Sequence, residues 1–187
     1  MVSATTYAAD ACSAVPLVLP TLSSAELEGC VCDSKLGNLQ ARFVPPFRIV
    51  AACNLKWRSG KPINLATQQI KLHQLTDGDY PLGTIFVSGA ATFHGVLRHN
   101  EMGAISVRLN KSLLRDGSVP LFYQLNVDEL PRNVLIPKQL GNVSCLEGRA
   151  SLIVKGLRIV MGESDEAGVS PLQHDFLKAS LEKNCTK

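Results

Sequence analysis

The stretch TIFVSGAATFHGVLR, residues 84–98, decides the fold. It is rich in β-branched, aromatic and small residues, and it predicts one long strand that Gly89 and Gly95 interrupt. A glycine inside a strand often marks a bulge or a sharp bend, because the missing side chain lets the backbone turn or approach a neighbour. We therefore expect a curved sheet built around this strand.

Other segments with the two-residue period of strands lie on both sides of this stretch. Turn-forming clusters separate them, such as TDGD at 76–79 and NEMG at 100–103. The candidate strands cover residues 47–57, 63–75, 105–109, 121–127, 134–136 and 151–161. Six to eight strands with little helix between them predict an all-β, mainly antiparallel fold, a small curved barrel or sandwich.

Two short helices are expected beside the sheet. Ser23 and Glu26 have the spacing of a capping box, which predicts a helix from Thr21 to Gly29. Near the end of the chain, Ser170 can cap a second helix with Pro171 in its first turn. The apolar face of this C-terminal helix should pack on the sheet, and it comprises Leu172, Phe176, Leu177 and Leu181.

The chain contains no repeat and no linker that would divide it. Residues 1–20 are expected to form a flexible N-terminal segment, and residues 21–187 a single β-rich domain. The small residues at 8–11 resemble the tail of a cleaved signal peptide, so we interpret the segment as a signal-peptide remnant. No apolar run reaches the roughly 18 residues that a membrane helix needs, and no membrane span is expected.

The six cysteines favour disulfide bonds. They form no CxxC pair, which argues against a zinc ribbon or a thioredoxin-type motif. We expect Cys145 to pair with Cys185, and the four N-terminal cysteines to pair among themselves. Those four are Cys12, Cys30, Cys32 and Cys53. Because disulfides persist in oxidising compartments, they predict an extracytoplasmic protein, periplasmic or secreted; the alternative is a cytoplasmic protein with six buried thiols.

Composition and motifs limit the function classes. The chain has 187 residues, of which 45% are hydrophobic, so it can bury a real core. A formal charge of +3 is too small to predict nucleic-acid binding, which usually needs a concentrated basic face. The sequence holds no HExxH, GxSxG, Walker-loop or GxGxxG motif, and no cofactor is expected.

His94 and His99 are the candidate catalytic residues, because they are the only histidines close together in the sequence. A spacing of five residues on a strand directs them to opposite faces, so they would meet only if Gly95 opened a bulge. The alternative is a pair of surface or hydrogen-bonded histidines.

Basic residues around the single tryptophan form the candidate ligand-binding site. They are Lys56, Trp57, Arg58 and Lys61. An indole ring between cations could stack on a sugar or a base while the cations bind an anion. The alternative places Trp57 in the core. A second basic group follows the central strands and is interpreted as their solvated faces; it comprises Arg98, Arg108, Lys111 and Arg115.

Glu163, Asp165 and Glu166 are candidate metal ligands, because alternating carboxylates can bind calcium through oxygen. They lack the spacing of an EF-hand loop. The alternative is a solvated connection between the last strand and the C-terminal helix, and no metal is expected.

These observations favour a non-catalytic, extracytoplasmic binding domain, such as an inhibitor, an adaptor or a secretion-associated protein. Its partner would be another protein or an anionic ligand. Two alternatives remain. One is a small secreted hydrolase with a site that includes His94 and His99, and the other is a self-assembling structural or viral β-sandwich protein.

Overall fold

A computed structural model describes residues 12–32, 36–40, 42–72, 79–100, 102–115, 120–132, 134, 145–162 and 167–185. In chain order, one helical turn and ten strands make up the regular structure, with a 3₁₀ turn before β7. The elements are α1 Val15–Val18, β1 Cys30–Cys32, β2 Leu39–Gln40, β3 Arg48–Trp57, β4 Ile70–Lys71, β5 Pro81–Asn100, β6 Ile105–Leu109, the 3₁₀ turn Pro120–Tyr123, β7 Gln124–Val127, β8 Cys145–Met161, β9 Gly168–Ala179 and β10 Lys183–Asn184.

Eight strands form one antiparallel sheet, which confirms the all-β prediction. Strand β5 lies at its centre. One edge of β5 pairs with β3 along its first half and with β6 along its second half, and β1 and β7 extend the sheet beyond β3 and β6. Its other edge pairs with β8 along nearly the whole length, and β8 pairs in turn with β9 and β10. The sheet is not closed into a barrel, because β7 and β9 are not paired. The two strands nevertheless approach each other, and Gly168 at the start of β9 lies next to the Asn126 side chain of β7. Strands β2 and β4 form a separate parallel pair.

Two of the three glycines within β5, Gly89 and Gly95, are the positions where the sequence predicts a bulge or bend. Gly89 has φ +130° and lies in a bulge between Val87 and Ala90 of the ladder with β8. A Cβ atom there would lie 2.9 Å from the carbonyl oxygen of Pro46, so a side chain would force this backbone contact apart. Gly95 lies against the backbone of Arg108 in β6. Both positions need glycine because another backbone segment crosses close to the strand.

The sheet has two apolar faces of unequal size, because alternate residues of each strand point to opposite sides. Ile85 belongs to the main core, which holds 26 buried residues, whereas its neighbour Phe86 belongs to a second core of 11. Residues 12–32 cover this second face and contribute Val15, Leu19, Leu22 and Leu27 to it. We call the segment 12–32 the N-terminal layer.

The predicted C-terminal helix is wrong, because Gly168–Ala179 is strand β9. A six-residue connection follows β8, whose free edge carries a long row of backbone groups that need partners. Pairing with β9 supplies them, and Ser170 lies opposite Arg158 instead of capping a helix. Pro171 is tolerated because β9 is an edge strand, where a missing N–H breaks no second ladder.

The capping box near the N-terminus forms, but the chain does not continue as a helix. The backbone N–H and the hydroxyl of Ser23 donate to the Glu26 carboxylate at 2.9 and 3.0 Å. Residues 24–29 are turns, and the helical turn lies earlier, at Val15–Val18. Of the predicted flexible segment 1–20, residues 12–20 are described, and they pack on the sheet through the N-terminal layer.

Three disulfides confirm the cysteine prediction. Cys145 bonds Cys185 and so joins the start of β8 to the segment after β10. In the N-terminal layer, the directly opposed residues Cys30 and Cys53 join β1 to β3, and Cys32 bonds Cys12. Cys30 and Cys32 point to the same face of β1, two residues apart, so each forms its disulfide with a different cysteine on that face and not with the other.

Candidate anion-binding site

Two arginines lie directly opposite each other beside the main sheet. Phe43 and Leu114 form an isolated antiparallel β-bridge. One backbone hydrogen bond lies on each side of it: the Arg115 N–H donates to the Arg42 carbonyl at 2.7 Å, and the Val44 N–H donates to the Leu113 carbonyl at 2.9 Å. In this register Arg42 lies directly opposite Arg115, and one backbone hydrogen bond joins them. We call them the arginine pair.

The arginine pair lines a cleft of about 590 Å³, which we call the arginine cleft. Its apolar floor consists of Leu36, Leu39, Phe43, Phe47 and Ile49, and its third arginine is Arg48 at the start of β3. The floor is rigid because Phe47 stacks on Phe93, with ring centroids 5.8 Å apart, and Phe43 packs edge-on against Phe122. Nε of Arg48 donates to the Ser88 hydroxyl at 3.3 Å, which fixes the base of its guanidinium.

The charge of the arginine cleft is not balanced within the described part of the chain. There, no carboxylate lies within ion-pair distance of Arg42, Arg48 or Arg115, and all three side chains are exposed. Like charges at directly opposed positions of an antiparallel pair destabilise it. An oxyanion between the guanidinium groups would relieve this repulsion and accept paired N–H bonds in the geometry that arginine favours.

A second cleft, of about 770 Å³, adjoins the first at Gly37, which lines both. We call it the uncharged cleft, because none of the described residues that line it carries a charge. They are Gly29, Val31, Gly37, Asn38, Ala52, Leu55, Ile63, Asn64, Leu65 and Ala66. Both asparagines already bond within the protein, since the Asn38 amide donates to the Leu65 carbonyl and Asn64 Oδ1 accepts from the Ala66 N–H at 2.9 Å.

The basic residues around Trp57 lie at the tight turn after β3. The Trp57 side chain is half-buried against the main core, and its backbone N–H donates to the Lys61 carbonyl at 2.8 Å. The Arg58 guanidinium lies 5.5 Å from the centre of the Tyr80 ring. The backbone of Lys56 forms an isolated antiparallel β-bridge with that of Pro62. This arrangement gives Trp57 a packing role and leaves Lys56 and Lys61 exposed at the turn.

The two candidate catalytic histidines point to opposite faces of β5. His94 lies on the exposed face directly opposite Ser151, and its Nδ1 contacts the Ser151 hydroxyl. His99 is half-buried on the other face, next to Leu146 of β8. A serine next to a histidine is part of the arrangement used in nucleophilic catalysis, in which a carboxylate also orients the histidine ring. Within the described residues, no carboxylate hydrogen bonds to His94.

The candidate metal ligands Glu163, Asp165 and Glu166 lie outside the described residues. Within the part of the chain that is described, no group of three His, Cys, Asp or Glu side chains is placed to hold a metal ion. None of the helices in that part is long and apolar enough to cross a membrane.

Sequence reasoning found only one member of the arginine cleft. Arg115 belongs to the second basic group, which was interpreted as solvated strand faces, whereas Arg42 and Arg48 carried no motif. The available signal was the pair of arginines at 42 and 48 on either side of the Pro45–Pro46 break, but nothing local relates them to Arg115. Comparison of the chain with protein-family models, curated proteins and solved structures returned no match.

Proposed function

We propose that this protein is a non-catalytic, extracytoplasmic binding domain whose ligand carries an anionic group. The observation that carries the proposal is the arginine pair, two cations held at directly opposed backbone positions above an apolar floor. The anionic group of the ligand would sit between the two guanidinium groups.

The disulfides support the compartment in this proposal. All six cysteines are paired; Cys30–Cys53 joins the N-terminal layer to β3, and Cys12–Cys32 closes a loop within the layer. Structural disulfides of this kind are typical of secreted and periplasmic proteins and rare in reducing compartments.

The form of the cleft supports binding. Its volume lies in the range of small-molecule sites, which combine apolar walls with a few placed polar groups. A backbone hydrogen bond joins Arg115 to Arg42, and each arginine adjoins a buried residue, Phe43 or Leu114, so the described backbone at the pair is already ordered before a ligand binds.

Thermal stability in the presence of small anions tests the proposal. Phosphate and citrate should raise the melting temperature of the intact, oxidised chain more than chloride does at equal ionic strength, because a ligand that binds only the folded state stabilises it. The variant Arg42→Gln/Arg115→Gln should lose this difference.

Arg108→Gln is the matched control, because Arg108 is an exposed arginine on β6 that does not line the cleft. It should keep the response to phosphate and citrate. Equal responses of the two variants, or no difference between citrate and chloride for the unmodified chain, would contradict the proposal.

A further inference from the structure

We infer that one elongated, amphiphilic anion occupies both clefts, with its anionic head at the arginine pair and its apolar body in the uncharged cleft. This inference rests on the proposed function and specifies the class of ligand. It follows from three features of the clefts: their continuity, the distribution of charge and the state of the polar groups in the second cleft.

The clefts are continuous along one strand. Ile49 of β3 lines the arginine cleft, and Ala52 and Leu55 of the same strand line the uncharged cleft. At the rise of a β-strand, the distance from residue 49 to residue 55 is about 20 Å. Gly37 lies between the clefts and lines both, so no side chain at this point divides them.

Charge is confined to one end of this length. The three arginines all line the first cleft, and among the described residues the lining of the second contains neither a cation nor a carboxylate. A polyanion would need cations along its whole length, because each further anionic group must be desolvated without a partner. A ligand with a single anionic end matches the distribution that is present.

Both asparagines of the uncharged cleft make hydrogen bonds within the protein. The Asn38 side-chain amide donates to the Leu65 carbonyl, the Asn64 Oδ1 accepts from the Ala66 N–H, and the Asn64 backbone N–H donates to the Gln68 side-chain oxygen at 3.1 Å. Its other walls include Val31, Leu55 and Ile63, which are half-buried and so present apolar surface. An aliphatic body gains by covering such surface, and it can do so without breaking these hydrogen bonds.

Calorimetric titration with a series of linear carboxylates tests the inference. Hexanoate, octanoate and decanoate share one head group, and below their micelle concentrations they should bind with affinity that rises about twofold to fourfold for each added CH₂, as burial of apolar surface requires. Decylamine, with the same body and a cationic head, should not bind.

Two pairs of variants separate the head from the body. Arg42→Gln should weaken all three carboxylates by a similar factor, about tenfold, whereas Arg108→Gln should not. Ala66→Asp places a carboxylate in the lining of the uncharged cleft and should abolish the gain with chain length. Thr67→Asp adds the same charge at the next exposed residue, outside the lining, and should preserve the gain.

The outcomes distinguish this inference from the proposed function. If affinity depends on Arg42 but not on chain length, or if a heparin-derived polyanion binds more tightly than decanoate through Arg42, the inference is overturned and the proposed function stands. If no carboxylate or polyanion binds, or if decylamine binds as well as decanoate, both are overturned.

Discussion

The two faces of the sheet are stabilised in different ways. On one face, 26 buried residues form the main core, and none of them is a cysteine. On the other face, the second core has 11 buried residues, of which four are the cysteines of two disulfides. Covalent bonds are therefore concentrated on the face that buries less apolar surface.

This difference has a physical reason. The N-terminal layer contains only a four-residue helical turn and the three-residue strand β1, so it lacks a long ladder of its own. Its apolar side chains alone offset little of the conformational entropy lost when it is ordered. Disulfides reduce that cost by restricting the unfolded chain, as in small domains with limited cores. Most residues that line the candidate clefts lie on the main-core side, and Gly29 and Val31 of the N-terminal layer complete the wall of the uncharged cleft.

The largest expected effect tests the main core. Leu152→Ala removes a fully buried side chain of β8 and should lower the free energy of unfolding by about 4 kcal/mol, since the cavity cannot collapse between packed strands. Chemical denaturation measures this change. Ile153→Ala, the next residue on the opposite and half-exposed face, should cost about 1 kcal/mol; similar costs would contradict the division of the sheet into unequal faces.

The second prediction concerns the N-terminal layer. Cys12→Ser/Cys32→Ser removes a bond with a sequence separation of 20 residues and should cost about 3 kcal/mol. Amide exchange of residues 12–32 should increase first, because local opening of the layer needs less energy than global unfolding.

Cys145→Ser/Cys185→Ser is the comparison for this variant. Its bond spans 40 residues, so loop entropy alone predicts a cost about 0.6 kcal/mol larger. If this variant, rather than the first, exposes residues 12–32 to exchange, the covalent support of the layer is not local.

The third prediction concerns a buried carboxylate at the end of the second face. Glu147 is 4% exposed and accepts hydrogen bonds from Arg98, with Nε at 3.1 Å and an ion-pair contact at 3.0 Å. Arg98→Leu should therefore cost about 2 kcal/mol in denaturant unfolding, because a buried charge loses its principal donors. Lys183 also contacts Glu147, at 3.2 Å, but it is 64% exposed, and Lys183→Leu should cost less than about 1 kcal/mol. A reversed order would show that Lys183 is the main partner.

The smallest effect is a pH dependence within the N-terminal layer. The hydrogen bonds of Ser23, and more weakly the charge of Arg158, lower the pKa of Glu26 below the ordinary carboxyl value. A lowered pKa gives stability that is present above the ordinary value and is lost as the pH falls through the lowered one. The melting temperature of Glu26→Gln should thus be slightly below that of the unmodified chain at neutral pH and converge with it in acid. Glu28→Gln, at an exposed neighbour outside the Ser23 contact, serves as the control.

The central strands and the Cys145–Cys185 bond could be predicted from the sequence, whereas strand β9 and the pairing among the four N-terminal cysteines could not. A bulge in β9 places Leu177 as an extra residue beside Phe176, and together with Leu172 and Leu181 this imitates the spacing of a helical face. As a half-exposed edge strand, β9 also lacks the strict alternation that marked residues 47–57. The deciding factor, the unpaired edge of β8, is a property of the assembled sheet.

The arginine cleft was missed for a related reason. The opposition of residues 42 and 115 depends on the isolated bridge between Phe43 and Leu114, which no local sequence pattern predicts. The Trp57 group, in contrast, was conspicuous because its basic residues are adjacent in the chain, although three-dimensional structure gives Trp57 a packing role. Adjacency in sequence is a poor guide to a site built from distant loops.

The long ladder between β5 and β8 has a consequence for synthesis of the chain. Strand β5 can pair early with β3, but the partner of its other edge, β8, begins only at Cys145. Until β8 is made, the backbone N–H and C=O groups of the β5 edge from Gly83 to Asn100 are open to neighbouring chains, and pairing over this sequence distance is intrinsically slow. We therefore expect newly made chains to be most sensitive to aggregation at this stage.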